Sequence, residues 1–262
     1  MNISELKTFL DEKYDRYNRP SFIETDPIQI PHSFSKKEDM EISGFLAASI
    51  AWGKRKMIIR NAEKMMSVMQ HQPYDFIINA DISDFKEINN IGHRTFKNVD
   101  FVYFLSALKN IYENHGGLEN VFTSAYKKDK SVFSAIKYFR EIFFELPHEQ
   151  RTEKHIANTE KKSAAKRINM FLMWMVRNDN RGVHFGIWKD ISTEDLIIPL
   201  DVHSGNTARA LGMLKRKQND KKAAEELTGF LQKLDKKDPV KYDFALFGLG
   251  VFEKFTNENT FR

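Results

Sequence analysis

IPLDVHSGNTARALG, residues 198–212, is the stretch whose reading decides the fold. An apolar lead-in reaches Asp201, and a basic, alanine-rich run follows it. An aspartate just ahead of a helical segment is a preferred N-cap, because its carboxylate accepts the free backbone N–H groups of the first turn. Gly212 then supplies the left-handed position at which helices commonly stop. The one carboxylate of this stretch is thus expected at a helix start.

Working outward, the same 3.6-residue period recurs over 3–17, 36–51, 54–71, 100–114, 118–127, 130–145, 161–178, 202–211, 220–233 and 239–249. Ser35 with Glu38 reads as a capping box, and Asp220 and the pair Asp238–Pro239 as further helix starts. Gly53, Gly212 and Gly250 read as stops. No segment alternates with period two and no hairpin signal is present, so the expected class is all-α. Neither an internal repeat nor a low-complexity tract interrupts it. The polar stretch 147–163 is the expected boundary or exposed crossing, and 178–192 a second irregular stretch.

Composition narrows the function classes. The chain of 262 residues has 41 basic and 36 acidic side chains, a net charge of +5, which favours an anionic partner only weakly. It has no cysteine, which excludes disulfides, cysteine-ligated zinc and an iron–sulfur cluster. The N-terminus lacks the basic-then-apolar profile of a signal peptide, and no apolar run approaches a membrane span. The expectation is a cytoplasmic protein without a membrane partner.

Two residues stand out chemically. In AAKRINMFLMWMVR (164–177), Ile168, Phe171, Leu172 and Met175 gather on one side of a helical wheel, while Lys166, Met170, Met173 and Arg177 form a stripe on the other. A lysine beside apolar surface at a helix N-terminus is set up as a nucleophile. Taken alone it reads equally as a solvated lysine lying along methionines. Asp201 alone reads as a structural cap, or as an anion kept charged by backbone N–H groups and suited to stabilising a developing cation.

Pro-Leu-Asp-Val-His at 199–203, followed by a basic helix ending in Leu-Gly, resembles a segment of helix-hairpin-helix DNA glycosylases, most closely that of 8-oxoguanine enzymes. KKSAAKRINMFL (161–172) resembles the hairpin and following helix that carry the lysine of that superfamily. SGFLAASIAWGKRKMIIR (43–60) is similar to its helix–loop–helix at the DNA gap, and IGHRTFKNVDFVYFLSAL (91–108) to its Gly-x-Arg segment. The closest overall likeness is to a bacterial family of unknown function, through RKQND (216–220) and DPVKYDFALFGLG (238–250). The chain departs from the superfamily at the Leu-Pro-Gly-Val-Gly hairpin, for which the glycine-free NTEKKSAAKR (158–167) stands. Lys166 and Asp201 are also 35 residues apart (201 minus 166), longer than in most members, and Lys162 competes for the role of the amine.

The resemblance implies a two-lobed helical fold with a cleft between lobes. An N-terminal segment (1–40) would pack with the C-terminal lobe, a central lobe would span 41–160, and 161–262 would hold the hairpin and Asp201. It implies a base-excision-repair glycosylase with AP lyase activity that flips a damaged base, an oxidised purine by the Asp-Val-His match. Lys166 would attack C1′ while Asp201 stabilises charge on the sugar. Trp52, Lys54, Arg55, Lys56, Lys161, Lys162, Arg167, His203 and Arg209 would contact double-stranded DNA. Phe247 or Phe252 would stack on the extruded base. No metal or organic cofactor is required, and a monomer is expected. Two other classes stay open: a DNA-binding module on the same fold without catalysis, and an α-helical interaction protein.

Overall fold

The structure, a computed structural model, describes residues 1–255. These form thirteen α-helices and four short 3-10 segments. The helices are α1 (Ile3–Tyr17), α2 (Gln29–His32), α3 (Lys37–Ser49), α4 (Arg55–Val68), α5 (Pro73–Asn79), α6 (Ile82–Lys86) and α7 (Asn98–Asn114). They continue as α8 (Gly117–Asp129), α9 (Val132–Phe143), α10 (Lys166–Val176), α11 (Val202–Ala210), α12 (Lys221–Leu234) and α13 (Asp243–Val251). No strand forms among the described residues, where two isolated bridges pair His93 with Phe96 and Ser163 with Asp220. The class is all-α. No helix among the described residues is long and apolar enough to cross a membrane.

By its contacts the chain falls into two compact units. One joins residues 1–22 to the chain from 158 onward, and the other spans 23–157. The sequence reading set its boundaries at 40/41 and 160/161; the units divide at 22/23 and 157/158. Residues 23–40 belong with the central unit because α2 packs against α3.

The central unit is built on an aromatic core. In α9, Val132, Phe133, Ala135, Ile136, Phe139 and Phe143 recur at helical spacing and are all buried. The Ser131 hydroxyl accepts the Ser134 N–H at 3.2 Å and starts that helix. Phe45 of α3 meets Phe104 of α7 at 5.8 Å, and Phe139 and Phe143 of α9 at 5.4 and 5.6 Å. Each fully buried ring of this kind contributes roughly 1.5–3 kcal/mol relative to exposure.

In the other unit α10 is the innermost element. Every residue from Ile168 to Arg177 is buried except Met170, so both apolar faces of this helix are covered. The irregular segment after α10 packs back on it: Phe185 and Trp188 donate their N–H groups to the Trp174 and Met175 carbonyls at 2.9 and 3.0 Å. Arg177 is fully buried, a position that a charge holds only when paired. Its guanidinium reaches both oxygens of Asp238 at 2.9 Å, Asp179 at 2.8 Å and the Tyr14 hydroxyl at 2.8 Å.

Five local expectations are corrected. Helix α3 ends at Ser49 with Ile50 as its cap, so Gly53, left-handed at φ +100°, lies in the turn beyond the helix rather than ending it. Helix α3 starts from Lys36 with no side-chain cap, so the Ser35–Glu38 box does not form. Asp238 precedes Pro239 as expected but makes no cap hydrogen bond, its carboxylate being taken by Arg177. Gly250 lies inside α13 rather than ending it. A Cβ there would sit 2.9 Å from Thr207 Oγ1 and 3.2 Å from His203 Cβ, so the glycine is what lets α13 close on α11. Finally, the periodic run at 161–178 becomes helical only at Lys166, for the reason given next.

Candidate functional site

Asp201 is the N-cap of α11. One carboxylate oxygen accepts the N–H groups of His203 and Ser204 at 2.8 and 3.0 Å, and the Ser204 hydroxyl accepts the Asp201 N–H at 3.0 Å. The residue is half-buried and pairs with no cation among the described residues. Gly212 ends the helix as expected, with φ +73°. Its N–H and that of Met213 reach the Arg209 and Ala208 carbonyls at 3.0 and 2.9 Å, the paired bonds of a left-handed helix stop.

The lysine helix is preceded by a tight turn. Asn158 Oδ1 accepts the N–H groups of Glu160 and Lys161 at 3.0 and 3.2 Å, and Ser163 donates its N–H to the Asn158 carbonyl at 3.2 Å. Lys162 and Ala165 both take the left-handed conformation, at φ +65° and +50°, which no continuous helix accommodates. Asn169 donates its side-chain amide to the Ala164 carbonyl at 2.9 Å and holds the turn against the first helical turn. Helix α10 therefore opens at Lys166. Its half-buried amine lies 3.4 Å from the Met170 sulfur, one turn on, and meets no carboxylate among the described residues.

A third element ties the two together. Lys221 donates its N–H to the Lys162 carbonyl at 2.9 Å, beside the Ser163–Asp220 bridge. Asn219 donates its amide to the Asp201 carbonyl at 2.9 Å and accepts from the Arg209 guanidinium at 2.5 Å. Arg209 also donates to the Arg216 carbonyl at 2.8 Å, and Arg216 pairs with Asp220. Gly205 makes room, since a Cβ there would come 2.8 Å from Asn219 Oδ1. One loop, 216–221, thus holds both the turn before Lys166 and the cap formed by Asp201. The sequence singles out RKQND without revealing this role of Asn219, because nothing local predicts a partner 18 residues upstream.

The other expected contacts fall in several places. Lys161, Lys162 and His203 are exposed in the same unit as Lys166 and Asp201. Arg209 is engaged by the loop just described. Arg167 is half-buried as a residue, and burial of its guanidinium pushes it down to about 10, still cationic at neutral pH. Phe252 is exposed and stacks on Tyr17 at 5.5 Å, and Phe247 lies edge-on to Phe22 and Phe252 at 6.5 and 6.3 Å. Trp52, Lys54, Arg55 and Lys56 belong to the central unit, where Arg55 reaches Asp26 at 4.0 Å. The sequence assigns no role to their neighbours His93 and His155, and it shows Arg94 only as part of the Gly-x-Arg segment. Among the described residues no cluster of three or more metal-ligating side chains is present.

Fold and site together define an all-α protein with a lysine amine and a capped aspartate held by one loop. The chain belongs to a family described as a protein of unknown function (DUF2400), whose pattern matches residues 26–252. Neither a curated protein nor a solved structure matches it.

Proposed function

We propose that this protein is a DNA glycosylase with AP lyase activity, acting on a damaged base in double-stranded DNA. One observation carries the reading: a half-buried amine and a half-buried carboxylate, each without an ionic partner among the described residues, open two helices tied to a single loop. Neither group is committed to an ion pair among the described residues, so both remain available to a bound ligand. The tight turn ahead of Lys166 and the Asp-Val-His order at 201–203 add the superfamily likeness, which points to an oxidised purine.

In this reading the Lys166 amine attacks C1′ of the flipped nucleotide as the glycosidic bond breaks. The base leaves with that electron pair and takes a proton from solvent. Asp201 stabilises the positive charge building on the sugar and accepts the proton released by the amine. Asp201 passes that proton to the ring oxygen as the C1′–O4′ bond breaks to give a Schiff base. Loss of a C2′ proton to the freed carboxylate or to solvent then expels the 3′ phosphate. No cofactor enters the scheme.

Borohydride trapping on duplexes carrying 8-oxoguanine or an abasic site tests it. A covalent adduct is expected, absent in Lys166→Ala and reduced about a hundredfold or more in Asp201→Asn, which keeps a cap acceptor and hence the fold. An adduct that persists in Lys166→Ala but not in Lys162→Ala transfers the role to Lys162. No adduct on any lesion of a broad panel defeats the lyase assignment. The glycine-free turn, where the chain departs from the superfamily's hairpin, supports a second reading: a DNA-binding module on the same fold that has lost catalysis and holds phosphates through its exposed lysines. Salt-dependent duplex binding unchanged in both variants would support it.

A further inference from the structure

We infer that, in the central unit, the turn at 52–54, the tip at 92–97 and the start of α4 form a binding surface for an unpaired stretch of nucleic acid. The inference rests on the reading above for its nucleic-acid partner, but it needs neither Lys166 nor Asp201.

The two loops are locked together. His93 and Phe96 exchange N–H and carbonyl at 2.8 and 2.9 Å, closing a tip with Arg94 left-handed at φ +54°. His93 Nε2 donates to the Trp52 carbonyl at 2.8 Å while its Nδ1 accepts from the Asn61 amide at 2.9 Å. The His93 ring stands edge-on to the Trp52 indole at 5.0 Å, and His155 stacks on the indole at 6.1 Å. Arg94 folds over Gly53, where a Cβ would come 2.8 Å from its guanidinium. Trp52 is thereby fixed in place yet half-exposed.

Charge around it is one-sided. Lys54, Lys56, Arg60, Arg94 and Lys97 are exposed, and none forms an ion pair among the described residues. Some lysines elsewhere in the same unit are paired, as Lys36 with Asp75 at 2.8 Å and Lys109 with Glu113 at 2.9 Å, while Lys128 and Lys130 lie over tyrosine rings instead. The carboxylate at the base of the tip, Asp100, is fully buried and taken by the Lys97 N–H, Thr152 and Arg151 at 2.7, 2.8 and 2.7 Å. Lys54, Arg55 and Lys56 also crowd the start of α4, the helix end that disfavours cations, and no acidic residue offsets them in its first turn. A polyanion relieves all of these repulsions at once. A fixed indole set among cations selects a nucleic acid over other polyanions, since a base stacks on it. Only an unpaired base offers its face, which selects a single strand over an intact duplex.

Intrinsic tryptophan fluorescence of the full chain reads this directly. Trp174 and Trp188 are only 2% and 1% exposed, so Trp52 is the indole a ligand reaches. An oligothymidylate of about 16 nucleotides is expected to quench it saturably at low salt, and to bind more tightly than a blunt duplex of that length or heparin. Trp52→Phe removes the quenching and weakens binding of a labelled oligonucleotide about tenfold. Lys54→Ala, Arg94→Ala and Lys97→Ala combined weaken it tenfold or more and lower its log–log salt slope by about 2. Unaltered affinity in the triple variant, quenching that survives in Trp52→Phe, or preference for duplex or heparin each overturns the inference. A missing borohydride adduct defeats the glycosylase chemistry and leaves this titration untouched, so the two failures are distinguishable.

Discussion

The side-chain amide of Asn219 donates to the backbone carbonyl of Asp201 at 2.9 Å, while its oxygen accepts from Arg209. A single asparagine thus satisfies one group of the aspartate cap and one of the guanidinium that braces the following loop. The neighbouring residues Asp220 and Lys221 grip the turn before Lys166. Two segments distant in sequence are coupled through a loop of six residues, 216–221, with no apolar core of its own.

Replacing that amide should loosen both ends of the coupling. Asn219→Ala removes one of the two donors to the Asp201 carbonyl, which keeps the Gly205 N–H at 3.0 Å. It also leaves one Arg209 N–H without its acceptor in a half-buried place, a loss of about 1–3 kcal/mol. Urea denaturation of the full chain measures it. Hydrogen exchange at the Lys221 amide, which closes on the Lys162 carbonyl, should accelerate beyond what the global loss explains. An unchanged urea midpoint with unchanged exchange at Lys221 defeats the coupling.

How much of this was legible in advance depends on range. Asp201 as a cap and Gly212 as a stop were readable because each acts within one helical turn. The long apolar helices were readable from their period, but α2, α5 and α6 were not, being four, seven and five residues long. Residues 161–165 look helical by composition, yet Asn158, three residues before them, opens a turn that competes with the helix for the same N–H groups. Gly250 looked like a stop because a glycine required by a neighbouring helix and one required by a left-handed turn are identical in sequence. Asn219, His93 and Arg94 matter through partners far along the chain, which one sequence cannot display.

The glycines supply a paired test of packing. On α13, a Cβ at Gly248 would lie 2.2 Å from Cδ2 of Tyr17, so the ring or the helix must shift. Gly248→Ala is expected to destabilise by about 1–3 kcal/mol through overpacking. On α12, Gly229 is exposed with nothing within 4 Å of the same position. There alanine restricts the unfolded chain without a clash, and Gly229→Ala should stabilise by roughly 0.5–1 kcal/mol. Urea midpoints moving in opposite directions bear out the packing of α1 on α13. A neutral Gly248→Ala refutes it.

Acid should find the buried ion cluster. Burial alone pushes the Asp179 carboxyl up, but the Arg177 guanidinium at 2.8 Å, the Tyr14 hydroxyl at 2.7 Å and the Arg181 N–H at 3.1 Å overcome it and hold the group well below the usual carboxylate range. The folded state therefore binds fewer protons than the unfolded chain, whose aspartates titrate near about 3.9. The resulting stability is fully present above that value and is lost as pH falls through it toward the folded value. Asp179→Asn abolishes this titration. It also lowers stability at neutral pH, because Arg177 keeps Asp238 but loses one of its two carboxylates. Below about pH 4 the wild-type urea midpoint should fall more steeply than that of the variant, so that the two curves converge. Curves that stay parallel from neutrality down to about pH 2 would show that Asp179 is not held as an anion by Arg177.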